Sequence, residues 1–232
     1  MPVVTYWYQA LKEALAAAGA GDPRRPHALA VVSGLAANGY LASLLVSRYS
    51  RLGDPDAARG VFDAASASSS APLWPPKPLL YNAMLRGYLA LSLPREAAVV
   101  FRDIPPHCAP DRHTYHLAAT ACARASPEDV NLGRRVGRDA EARGLSSDLL
   151  VATALIGMHA EAGDMGAARR VFDGMLRRDA VAWNAVIGGY TCAHWRSLAQ
   201  NSAGAKISMG RRLGRQQGPP AGPNSGLHPF QW

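Results

Sequence analysis

The chain has 232 residues, 48% of them hydrophobic, and a formal net charge of +8, enough for one or two packed domains. Its three cysteines, Cys108, Cys122 and Cys192, are odd in number and far apart, which argues against a disulfide framework and a paired-thiol zinc site and fits a reducing compartment. No run of 18 or more apolar residues offers a membrane span, and the opening residues lack the charged start and apolar centre of a secretory signal. Met1 to Ala20 contain no Arg and include Glu13, so an organellar address, if there is one, is degenerate. The basic excess is uneven: from Thr191 onward Arg196, Lys206, Arg211, Arg212 and Arg215 contribute +5 with no acid, leaving +3 for the rest. Charge alone therefore does not establish nucleic-acid binding.

In chain order, residues 1–38 read as a degenerate repeat, because Gly34-Leu35 stands 110 residues before Gly144-Leu145. From Gly39 a first helix leads to Gly53-Asp54-Pro55, a helix stop, an N-cap and a proline at the first helical position. The second helix carries Ala57-Ala58-Arg59 and Val61-Phe62-Asp63. Residues 64–76, rich in Ser, Ala and Pro without a period, read as a surface loop inserted into this unit of 39–77. The unit 78–111 opens with Leu80-Tyr81-Asn82-Ala83-Met84-Leu85-Arg86-Gly87-Tyr88, and Pro94 begins its second helix. The unit 112–148 has Ser126-Pro127-Glu128-Asp129 as the signature of an internal helix start.

The unit 149–179 repeats the earlier pattern 110 residues on: Gly163-Asp164, Ala167-Ala168-Arg169 and Val171-Phe172-Asp173. Apolar spacing predicts helices over about 151–162 and 165–176, with Ala168, Val171, Phe172 and Met175 buried and Arg169, Arg170 and Asp173 toward water. Phe62, Phe101 and Phe172 fall on core stripes. Residues 180–195 begin another unit, since Ala182-Trp183-Asn184-Ala185 echoes Leu80-Tyr81-Asn82-Ala83, and 196–232 read as a disordered basic Gly/Pro-rich tail. Recurring units of this length predict an all-α solenoid of antiparallel helical hairpins. His159-Ala160-Glu161 matches half of a zinc deaminase signature, but no Cys-x-x-Cys exists in the chain. His159 also occupies the register of Tyr49, which points to packing.

These residues resemble the pentatricopeptide repeat family, specifically the plant branch in which P-type, L-type and S-type repeats alternate. In that order 39–77 is a short-type repeat, 78–111 P-type, 112–148 L-type, 149–179 S-type and 180–195 the start of a truncated P-type repeat. No C-terminal deaminase-like domain is recognisable. The resemblance implies a right-handed superhelix and sequence-specific binding of single-stranded RNA, one base per repeat. It also implies that the fifth residue of the first helix and the last residue of the repeat read the base edge, while the apolar second residue packs on its face. Carried over, these are Asn82 and Asp111 with Leu79, implying a pyrimidine, chiefly U; Thr153 and Asp179 with Leu150, implying G; and Asn184 with Val181, implying a pyrimidine. His116 with Asp148, and Ser43 with Lys77, match no strong preference.

Asp111, Asp148 and Asp179 also stand where a cap of the following helix belongs, and Asn82, Thr153 and Asn184 could be ordinary polar residues on a helix face. The resulting expectation is a non-enzymatic specificity module that binds organellar RNA and works with an editing or processing enzyme in trans. It needs no cofactor or metal and no membrane. The mitochondrion is the expected compartment, with the chloroplast as the alternative. A protein-binding helical scaffold and a truncated, inactive fragment are the competing readings.

Overall fold

Short amphipathic helices are marginal alone and persist where a neighbour covers the apolar stripe, and this chain pairs them throughout. The computed structural model describes residues 2–16, 22–67, 78–105, 108–125 and 130–194. Among them the helices are α1 (Pro2–Ala16), α2 (Arg24–Val32), α3 (Gly39–Leu52), α4 (Pro55–Ala67), α5 (Pro78–Ala90), α6 (Pro94–Arg102), α7 (Arg112–Arg124), α8 (Val130–Ala142), α9 (Leu149–Glu161) and α10 (Met165–Gly174). A 3-10 turn, Leu145–Ser147, precedes α9, and residues 180–194 are helical (α11). No strand occurs among the described residues. The chain divides into two compact units, Met1–Tyr190 and Thr191–Trp232; the hairpins belong to the first.

Packing is sequential. The first helices α3, α5, α7 and α9 stack in order, each second helix packs on its own partner, and α4, α6 and α8 also meet the first helix of the next hairpin. Among the described residues this is a helical-repeat solenoid whose core is built from the faces shared by successive helices. An aromatic pair recurs at the joints. Tyr81, Tyr115 and Trp183, each the fourth residue of a first helix, meet Phe62, Phe101 and Phe172 edge to face, with ring centroids 5.2, 5.7 and 4.7 Å apart. Between the latter two joints lies the hairpin of α9 and α10, where the fourth residue of α9 is Ala152 and forms no such pair. Such pairs contribute about 0.5–1.5 kcal/mol each beyond area burial, and all three phenylalanines are buried as expected.

The helix-stop signals work as the residues dictate. Gly53 (φ 78°) and Gly163 (φ 79°) take the left-handed conformation, which costs glycine nothing. The Asp54 and Asp164 carboxylates then accept from the Ala57 and Ala167 N–H groups at 2.9 Å. The i, i+4 pairs Arg59–Asp63 and Arg169–Asp173 close at 2.8 and 2.9 Å on the exposed faces.

Three boundaries differ from the sequence expectation. The helix expected over 151–162 starts two residues earlier, at Leu149, because Asp148 caps it. The second helix of that unit ends at Gly174 rather than 176. The expected loop 64–76 is partly helix: α4 runs on to Ala67 with Ala65 buried, since an alanine-rich stretch extends a helix without any large apolar residue to mark it. Residues 68–76, the cap signature at 126–129 and the tail 196–232 lie outside the described residues.

Candidate nucleic-acid interface

Two side-chain contacts fix how the first helices are aligned. Asp111, immediately before α7, reaches Asn82 in α5, and Arg112, the first residue of α7, lies 3.8 Å from the carboxylate of Asp148, which caps α9. The N-termini of α5, α7 and α9 therefore form one row. Along it the second residue of successive helices stands exposed although apolar: Leu79 is 45% exposed, Leu150 37% and Val181 59%, with Tyr40 (38%) at the same register of α3. Exposed apolar residues scattered singly need no explanation, but these recur at one register. His113 holds the position in α7 and is also exposed.

The fifth register is more varied. Asn82 is only 5% exposed. Its Nδ2 donates to Asp111 at 3.1 Å from Oδ1 and 3.3 Å from Oδ2, and its Oδ1 lies 2.7 Å from the Thr114 hydroxyl. Thr114 is fully buried; its Oγ1 accepts from the Asp111 N–H at 3.1 Å and lies 2.9 Å from Asp111 Oδ1. The Asp111 carboxylate in turn accepts from the Thr114 N–H at 2.8 Å, completing a capping box. Burial works to raise the Asp111 carboxyl, but the hydrogen bonds from the Thr114 N–H, the Asn82 amide and the Thr114 hydroxyl outweigh it and hold the group below the usual aspartate value. Asn82 is thus a fixed amide in a polar cluster. The geometry leaves it one N–H and one carbonyl lone pair beyond these partners.

The other positions do not repeat this cluster. Thr153 is half-buried and its hydroxyl donates to Leu149 O at 2.7 Å. Asp179 caps α11 through the Ala182 N–H at 2.8 Å. Asn184 is exposed. Asp148 accepts from the Leu150 and Val151 N–H groups at 3.0 and 3.3 Å. His116 is half-buried, with its Nδ1 buried and without a hydrogen-bond partner. Ser43 is buried and donates to Tyr40 O, while Lys77 lies outside the described residues. Asp111, Asp148 and Asp179 all cap the helix that follows them.

Thr114 is the residue that pattern reading passed over. Its signal was present: an Asp at the N-cap followed three residues later by a side chain able to return the bond. His159 is half-buried at the end of α9, and among the described residues no group of three His, Cys, Asp or Glu could hold a metal ion. No described helix is long and apolar enough to cross a membrane.

Comparison with known proteins bears on the repeats themselves. The family model described as PPR repeat matches residues 79–105 and 151–179. One pentatricopeptide repeat-containing protein of Arabidopsis thaliana is 32% identical over 165 residues, spanning 71% of this chain and 20% of its own length. A mitochondrial one from the same plant is 32% identical over 165 residues (71% and 15%), and a chloroplastic one 32% over 184 residues (78% and 29%). The chain thus spans less than a third of the length of each of these relatives. Built as a ladder of helical hairpins, it carries pentatricopeptide repeats and is a homologue of the pentatricopeptide repeat proteins of Arabidopsis thaliana.

Proposed function

We propose that the row of first-helix N-termini binds single-stranded RNA sequence-specifically, in an organelle, as a specificity module for an editing or processing enzyme acting in trans. The observation that carries this reading is the recurrence of an exposed apolar side chain at the second register, a polar side chain three residues on and a carboxylate at the seam: Leu79, Asn82 and Asp111; Leu150, Thr153 and Asp179. Val181 and Asn184 begin a further set. An apolar side chain can cover a base face, and a polar group beside it can match the base edge. Discrimination arises because a wrong base leaves a buried polar group unpaired. In the P-type, L-type and S-type order the four positions read U, any base, G and pyrimidine, with His116 and Asp148 as the indifferent pair. Relatives whose names say mitochondrial and chloroplastic support an organellar setting; we place the chain in the mitochondrion first.

Fluorescence anisotropy with short RNAs tests the reading. An oligonucleotide with that order is expected to bind more tightly than its scramble, and Leu150→Ala with Val181→Ala to weaken both by about tenfold without loss of folded helix, since each side chain contacts solvent. Asn82→Ala is expected to narrow the difference between U and other bases at its position. Equal, weak binding of both RNAs at low salt would overturn it and return the protein to the scaffold reading.

A further inference from the structure

The second helices carry a feature that the base-reading row does not use. α6, α8 and α10 pack chiefly on first helices rather than on one another, and grooves open between them. The groove between α6 and α8 is lined by Arg95, Arg102 and Arg135 over a floor of Ala98, Val99 and Leu132, with no acid. The groove between α8 and α10 contains Arg134, Arg135, Arg138 and Arg170, and it shares Asn131 and Arg135 with the first. Among the described residues Arg134, Arg135, Arg138 and Arg170 enter no ion pair, and all four are exposed. Guanidinium groups in such number, with no lysine among them, suit planar bidentate acceptors.

The geometry points to a docking trough for an acidic, aliphatic-containing segment of another protein, running across α6, α8 and α10. Two observations favour a protein over a nucleic acid. The floor is aliphatic, and no Phe, Tyr or Trp lines either groove, so nothing there stacks a base. Glu141 and Asp164 line the α8/α10 groove; they can accept from the N–H groups of a peptide, whereas a phosphodiester offers them only acceptors. His159 sits at the same groove beside Asp164, Arg170, Glu141 and Arg134, and burial, partly offset by the two carboxylates, lowers its affinity for a proton. Near neutral pH it therefore adds no cation to the groove. The trough is built from second helices, His159 and Asp164, so it shares no residue with the row at the first-helix N-termini, and the proposal does not rest on RNA binding.

The test uses the full chain and a fluorescent short peptide of Glu interspersed with Leu, against the same peptide with Gln for Glu. The acidic peptide is expected to bind, with affinity falling as salt rises. The double variant Arg134→Glu with Arg135→Glu is expected to weaken it about tenfold or more. The equally charged control Arg51→Glu with Arg177→Glu, at exposed sites outside the grooves, is expected to leave it within about twofold, and circular dichroism confirms that both variants fold. RNA affinity should change equally in the two variants. The proposal is overturned if the Gln peptide binds as well as the acidic one, or if both variants lose the peptide alike. It is also overturned if oligouridylate displaces the peptide and the trough variant alone loses RNA, which would make the trough a nucleic-acid site.

Discussion

Thr114 holds together two groups that would otherwise be stranded: the Asn82 carbonyl, 2.7 Å away, and the Asp111 N–H, 3.1 Å away. Thr114→Val keeps the shape and removes the hydroxyl, leaving both unpaired in a buried place. A cost of about 1–3 kcal/mol is expected, read as a shift in the urea unfolding midpoint. Asp111 gives a pH signature in the same cluster. Its carboxyl titrates below the ordinary value when folded and near that value, about 3.9, when unfolded. The stabilisation it provides is therefore present above that value and lost as pH falls through the folded one. The stability gap between wild type and Asp111→Asn should shrink as pH is lowered from 7 to below the aspartate range, measured by thermal melts; an unchanged gap would contradict the assignment. The sequence announced Asn82 and Asp111 by their register, and Asp111 also as a cap. It did not announce that Asn82 is nearly buried or that Thr114 bridges the two, because that depends on how closely α5 and α7 approach, which no single helix encodes.

Two glycines on first helices separate backbone cost from close approach. A Cβ on Gly189 in α11 would lie 2.7 Å from the Ala160 Cβ of α9, whereas a Cβ on Gly157 of α9 meets nothing within 4 Å. Gly189→Ala is expected to destabilise by about 1–3 kcal/mol through overpacking. Gly157→Ala is expected to stabilise by about 0.5–1 kcal/mol through the helix term alone. Calorimetry on both variants checks the opposite signs. Gly87 holds the same register in α5 against Ser50 of α3, so the recurring Gly-Tyr of 87–88 and 189–190 marks helices packed with little room. Helix stops at Gly53-Asp54 and Gly163-Asp164 were plain in the sequence because each residue acts locally. The extension of α4 to Ala67 was not, since alanine favours helix but leaves no apolar period to see.

Because the described hairpins pack chiefly on their neighbours, stability is close to a sum of units and joints. Helices with a hairpin on both sides, α5 and α7, are expected to show the slowest amide hydrogen exchange, and α1 and α2 the fastest among the described helices of the first unit. Uniform protection along the array would argue for a single cooperative block instead. The succession of paired helices was legible because helix stops and first-helix openings recur along the chain. The arginine trough was not, since Arg95, Arg135 and Arg170 belong to three units and become neighbours only when those units stack. One consequence follows from the aspartates that each cap the first helix of a hairpin. Excising 112–148 would leave Asp111 directly ahead of Leu149, where Asp148 had been, so the splice supplies α9 with its starting carboxylate. Gain, loss or shuffling of whole modules at these seams thus leaves no helix without a beginning.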